Sequence, residues 1–212
     1  MRSASAIDLV TVDAFGTLVE LVAPYDRLGD ALAKRRLERN REAVAAAFSA
    51  EVAYYVPRAH EGRDTLSLTQ LRRQCAAVFL AELDAELDPA EFAPAFVEAL
   101  EFRPMAGVTT SLGRLRAAGI LLGCVGNWDI SLEGQLAALG LSNYFATIVT
   151  SAEAGAPKPD PAPFRLALDR VGVSPERALH VGDTEADRNG ALAAGLAFEP
   201  TPLATLPSRL GL

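Results

Sequence analysis

A few polar residues sit where apolar runs stop, and their types suit chemistry on an anion. Asp13 follows Leu9-Val10-Thr11-Val12 and opens the turn Ala14-Phe15-Gly16-Thr17. Gly126-Asn127 follows Ile120-Leu121-Leu122-Gly123-Cys124-Val125, and Lys158 lies between Pro157 and Pro159. Leu179-His180-Val181 leads into Gly182-Asp183-Thr184-Glu185-Ala186-Asp187. Carboxylates crowded into one pocket raise one another's pKa unless a cation intervenes. Oxygen donors favour a hard ion such as Mg²⁺, which can bridge to substrate phosphate oxygens. Lys158 can neutralise an acid and hold a phosphate oxygen as a point charge, and its flanking prolines stiffen the loop that presents it. Taken singly, each residue has a plainer reading. A lysine among prolines is commonly a surface residue, an Asp after Gly commonly caps a helix, and Asp187 suits the first turn of one. Their convergence is what favours a site.

The elements needed to bring them together are legible. Leu9, Val10, Thr11 and Val12 read as a short strand buried on both faces, with Asp13 at its carboxyl end. Residues 24 to 102 are rich in Ala, Leu, Arg and Glu and read as helical. Leu28, Leu32, Arg35, Arg39 and Glu42 predict one helix, with Lys34-Arg35-Arg36 on its solvated face. Leu68, Leu71, Cys75, Val78, Phe79 and Glu82 predict a second, entered at Asp64 and Thr65. A third starts at Asp88-Pro89 and presents Phe92, Phe96 and Leu100, and Pro104 closes the segment. From residue 105 helix and strand alternate. Strands are expected at 120–125, 147–149 and 178–181, and helices at 109–117, 131–139, after Asp160-Pro161, and at 186–194. That pattern predicts a parallel sheet with crossover helices, whose strand ends share one edge. The tail 200–212, with three prolines, gives no clear element.

Composition narrows the function classes. Half of the 212 residues are hydrophobic and the formal charge is −7, so a sizeable core is expected and a nucleic-acid surface is not. Cys75 and Cys124 lie in apolar segments without metal-ligand spacing and read as buried thiols. No apolar run is long enough to span a bilayer, so no membrane partner is expected, and the default location is cytoplasmic. His60 and His180 receive no catalytic role, and Trp128 reads as packing between core and insertion. Substrate identity and oligomeric state have no signature in the sequence.

Together the motifs resemble the haloacid dehalogenase superfamily of hydrolases over nearly the whole chain. The matching pieces are Asp13-Ala14-Phe15-Gly16-Thr17-Leu18, Gly126-Asn127, Lys158-Pro159-Asp160-Pro161 with Phe164, and Gly182-Asp183 with Asp187 before Gly190-Ala191. Asn127-Trp128-Asp129 and Ser151-Ala152-Glu153-Ala154-Gly155 look most like the phosphatase-like members with a helical (C1) cap. The resemblance implies an α/β fold, a Rossmann-like doubly wound parallel sheet core formed by 1–19 and 105–212, with an inserted α-helical cap at 20–104. It implies Asp13 as nucleophile and Lys158 as its catalytic support. Thr17, Gly126, Asn127 and Lys158 would bind substrate. Asp13, the Phe15 carbonyl, Asp183 and Asp187 would form the Mg²⁺ site, and the substrate would be a small phosphorylated metabolite. Two positions depart from the phosphatase pattern. Phe15 stands where those enzymes usually carry a second Asp as general acid and base, and Gly126 stands where they carry Ser or Thr. Losing a general acid costs about a hundredfold to ten-thousandfold in rate, which disfavours poor leaving groups. Dehalogenases of the superfamily also have an aromatic at the second position, and a departing halide needs no proton. A 2-haloacid dehalogenase and a non-catalytic binding protein are therefore the alternatives.

Overall fold

The computed structural model describes residues 7–212. Strand β1 (Leu9–Val12) is fully buried, which its β-branched, apolar composition requires. The chain then forms β2 (Val19–Leu21) and the helices α1 (Pro24–Ala33), α2 (Arg41–Tyr55), α3 (Thr65–Glu82) and α4 (Pro89–Ala99). It returns through β3 (Phe102–Pro104), antiparallel to β2. The remainder alternates: α5 (Val108–Ala117), β4 (Leu121–Gly126), α6 (Leu132–Ala138), β5 (Thr147–Thr150), α7 (Ser151–Ala154), α8 (Ala162–Val171), β6 (Ala178–Gly182), α9 (Glu185–Ala193), β7 (Ala197–Pro200) and α10 (Leu206–Arg209).

The main sheet has five parallel strands in the order β5-β4-β1-β6-β7. Chain order reverses on either side of β1, the arrangement that opens a crevice beyond the strands' carboxyl ends. Val12 is level with Cys124 on one neighbour and Val181 on the other, and the Asp13 amide donates to the Val181 carbonyl at 2.9 Å. The register therefore delivers Asp13, Asn127 and Asp183 to one edge.

Two hydrophobic clusters cover the sheet. One joins Val10 and Val12 to Leu112, Leu115, Leu132 and Leu206, and the other joins Leu9 and Val125 to Phe164, Ala167 and Ala191. Helices α1 to α4 share a third cluster, in which Leu28, Phe79, Phe92 and Phe96 are buried. Phe79 lies 5.1 Å from Phe96 and 6.0 Å from Phe92, ring centre to ring centre. Asp64 caps α3 reciprocally with Ser67, and the Asp88 side chain accepts from the Ala90 amide at the start of α4.

Several features differ from the sequence reading. The helix expected across Leu28 to Glu42 is two helices. Arg36 adopts a left-handed φ of 63°, and the Asn40 side chain accepts from the Ala43 amide at 2.8 Å to start α2. Lys34-Arg35-Arg36 lies on the turn between them, with the Arg35 guanidinium 5.2 Å above the Phe92 ring. Strands β2, β3 and β7 and the short helix α7 also lie beyond the expected elements. The tail carries α10, whose Leu206 is buried against the core. No helix among the described residues is long and apolar enough to cross a membrane.

Candidate active site

Lys158 is the hub of the strand-end cluster. The residue is 5% exposed, and its ammonium donates to Asp13 Oδ1, to Asp187 Oδ1 at 2.5 Å and to the Val125 carbonyl at 2.9 Å. An ammonium has three protons, so every one has a protein acceptor. Burial pulls Lys158 down, but Asp13 and Asp187 outweigh it and hold the ammonium above the ordinary lysine range. The loop is fixed by Asn127, whose Oδ1 accepts from the Lys158 amide at 2.7 Å while its Nδ2 donates to the Lys158 carbonyl at 3.1 Å. The Asn127 side chain thus braces the lysine loop.

Asp187 has both oxygens occupied. Oδ1 accepts from Lys158 and from His180 Nε2, the latter at 3.2 Å, and Oδ2 accepts from the Thr184 amide and hydroxyl at 3.1 and 2.5 Å. Burial pushes Asp187 up, but hydrogen bonding from His180 and the Lys158 charge hold it well below the usual carboxylate range. His180 is fully buried, and burial lowers its pKa to about 4, so it is neutral. Its tautomer follows from its partners. A carboxylate only accepts, so Nε2 carries the proton toward Asp187, and bare Nδ1 faces the Thr11 hydroxyl at 2.9 Å. Sequence reasoning left His180 without a partner. The available signal was a histidine inside a buried strand, two residues ahead of Gly182-Asp183.

Asp13, Asp183 and Asp187 bring carboxylate oxygens within 4.8 Å of one another, close enough to hold a metal ion. Burial pushes the Asp13 carboxyl up to about 7 against the pull of Lys158, and Asp187 and Asp183 raise it further. Asp183 is exposed and also raised, by partial burial and by Asp187. Three carboxylates face one ammonium, so the cluster is short of positive charge and its donor set fits a hard divalent cation. Gly16 is required by this geometry. Its φ is +82°, and a Cβ there would lie 2.3 Å from Asp183 Oδ2.

The remaining predicted positions are placed as follows. Thr17 is 2% exposed and its hydroxyl is buried without a partner. Gly126 ends β4, where a Cβ would crowd Leu132 and Ala14 at 3.1 and 3.2 Å. Phe15 is 50% exposed and stands edge-on to Phe102, with ring centres 6.5 Å apart. It lines a cavity of about 180 Å³ together with Phe48, Glu51, Phe96, Asn127 and Trp128, so the cavity lies between the helical cluster and the strand ends. Trp128 packs on Phe102 at 5.1 Å, and its indole donates to Ser131 Oγ at 3.3 Å. Beside it the Tyr55 hydroxyl donates to Asp129 Oδ2 at 2.9 Å, and the Ile130 amide donates to the Gly62 carbonyl at 3.1 Å. Both bonds tie the α2 region to the loop after β4.

The model of the haloacid dehalogenase-like hydrolases matches residues 7–195. The chain belongs to this family. Among curated haloacid dehalogenase-like relatives, domain-containing protein 3 of Mus musculus is 39% identical over 102 residues, 48% of this chain and 41% of that protein. The phosphoglycolate phosphatase of Rhodospirillum rubrum is 35% identical over 154 residues, 72% of this chain and 56% of its own length. The chain thus spans about half the length of the curated relatives it matches. Two solved haloacid dehalogenase-like structures share the fold. The magnesium-bound hydrolase YfnB of Bacillus subtilis superimposes with a TM-score of 0.78 at 20% identity, covering 97% of this chain and 99% of that one. A 2-haloacid dehalogenase of Pseudomonas syringae gives 0.66 at 26% identity, covering 97% and 98%.

Proposed function

We propose that the chain is a Mg²⁺-dependent phosphohydrolase acting on a small phosphorylated metabolite through an aspartyl-phosphate on Asp13. We read residues 20–104 as a cap over a core formed by 1–19 and 105–212. The observation that carries the reading is the buried Asp13–Lys158–Asp187 chain with Asp183 beside it. Asp13 attacks phosphorus, and the bond to the leaving oxygen breaks with its electron pair going to that oxygen. Water then hydrolyses the aspartyl-phosphate and regenerates the carboxylate. Lys158 aims Asp13, and its charge, with the backbone amides at Gly126 and Asn127, stabilises the charge developing on the phosphoryl group. Asp187 acts through Lys158, since both its oxygens are already engaged. Mg²⁺ held by Asp13, the Phe15 carbonyl and Asp183 would supply Lewis-acid stabilisation of the phosphoryl oxygens. Phe15 offers no proton, so substrates with weakly basic leaving groups, acyl or aryl phosphates, are favoured over alkyl phosphates.

A panel of acyl, aryl and alkyl phosphates, assayed with Mg²⁺ and with EDTA, tests this. Turnover is expected with Mg²⁺, in the order acyl, aryl, alkyl, and absent in Asp13→Asn; metal-independent turnover, or none, overturns it. The aromatic Phe15 favours one second reading, a 2-haloacid dehalogenase. Chloride release from 2-chloropropionate in EDTA would establish it. The acidic cluster weighs against this, because displacing halide at carbon needs no metal.

A further inference from the structure

Glu51, on α2, has no role in the mechanism above, yet it is an acid 5% exposed in the wall of the cavity that Phe15 and Asn127 also line. Its hydrogen-bond partner is the thiol of Cys75, a weak one. Among the described residues no cation is paired with it. The cavity's other acid, Asp129, is already held by the Tyr55 hydroxyl and the Ser131 amide. The one cation in the wall, Arg72, forms no ion pair with Glu51. An uncompensated buried carboxyl opposes folding, so its place in a ligand-sized cavity marks it as a recognition group. The surrounding wall is aromatic: Phe15, Phe48, Phe96, Phe102 and Trp128 all face the same space. Aromatic faces with one buried acid form a receptor for a protonated amine carried on an apolar stem.

We propose that Glu51 is a specificity-determining residue that selects phosphorylated substrates whose organic part is an apolar or aromatic stem ending in a protonated amine. The inference rests on the phosphohydrolase reading for its substrate's phosphate, but not for the amine site. A substrate carboxylate, such as that of phosphoglycolate, would instead meet the Glu51 acid across an apolar space and be disfavoured.

Three aryl phosphates with closely similar leaving groups test the selection: tyramine O-phosphate, 4-ethylphenyl phosphate and 4-carboxymethylphenyl phosphate. The wild-type kcat/KM is expected to be about tenfold or more higher for the amine than for the neutral ester, the scale of one charge-assisted hydrogen bond. The carboxylate should fall below both, and in Glu51→Gln the amine's advantage should shrink to about twofold or less. Equal wild-type values for the amine and neutral esters overturn the proposal, as does an advantage that survives in Glu51→Gln. A binding readout separates this from the hydrolase reading. Trp128, the only tryptophan, lines the cavity, so 2-phenylethylamine should change its fluorescence saturably while 2-phenylethanol does so only weakly. That response without turnover of any ester sinks the hydrolase reading and leaves the amine site standing. Turnover of the esters without amine preference sinks the amine site alone.

Discussion

Replacing Lys158 by methionine keeps the length and most of the volume of the side chain and removes its charge. The ammonium is shared by Asp13 and Asp187, and it also satisfies the Val125 carbonyl. Without it two buried carboxylates face each other across the vacated position, and a buried carbonyl loses its donor. Removing one partner of a buried ion pair costs about 3–5 kcal/mol, because the other charge stays buried and unpaired. In a chain of this size each kcal/mol moves the melting temperature by about 2–4 °C, so a fall of about 6–20 °C is expected. Scanning calorimetry at pH 7.5 in EDTA measures it. Excess MgCl₂ should restore more of the melting temperature in Lys158→Met than it adds to the wild type, because the variant's carboxylates lack any other cation. Phosphatase turnover should be lost even where stability is restored, since nothing then aims Asp13. A fall below about 2 °C, or equal Mg²⁺ responses in the two proteins, would refute the view that Lys158 is the charge that holds the cluster together.

Three further outcomes follow from the same geometry. Phe15→Asp should raise turnover of alkyl phosphates by about a hundredfold or more if the missing proton donor is the main defect, and an unchanged rate counts against that explanation. Gly16→Ala should abolish activity and lower stability, since its Cβ collides with Asp183 and its φ is left-handed; an active, stable variant would show that the loop has another conformation. Glu51 gives a pH signature. Burial raises its pKa from 4.5 to about 7, so the folded chain holds a proton that the unfolded chain releases. The associated stability, about 3 kcal/mol, is fully present below about pH 4.5 and lost as pH rises through about 7. Urea midpoints should fall over that window in the wild type and fall less in Glu51→Gln, and identical slopes would remove Glu51 as the cause.

The strand ends were legible in the sequence because burial on both faces forces a short apolar, β-branched run, and the first polar residue after it must emerge at the edge. Asp13, Asn127 and Asp183 stand out for that reason. Caps at Asp64 and Asp88 were legible because they are local, each involving residues two or three apart. The break after α1 was not, since helical spacing at Leu28, Leu32, Arg35 and Arg39 continues through residues whose backbone turns at Arg36. Contacts made over long separations leave no local pattern. Glu51 against Cys75, Tyr55 against Asp129 and Thr11 against His180 all needed the fold. Asn127 was visible as a polar candidate at a strand end, but its side chain's contact, bracing the Lys158 backbone, became visible only with the loop in place.

The account turns on Asp13 attacking phosphorus, and oxygen-isotope tracing tests that most directly. Wild-type protein is incubated with inorganic phosphate and Mg²⁺ in H₂¹⁸O with no organic substrate, and mass spectrometry then follows the label in the phosphate and in the peptide carrying Asp13. Reversible formation of an aspartyl-phosphate, with water leaving from and returning to phosphorus, predicts ¹⁸O entering the phosphate and an unlabelled Asp13. Phosphate that stays unlabelled under conditions where the protein turns over an aryl phosphate would mean that water attacks phosphorus directly, and would contradict the account.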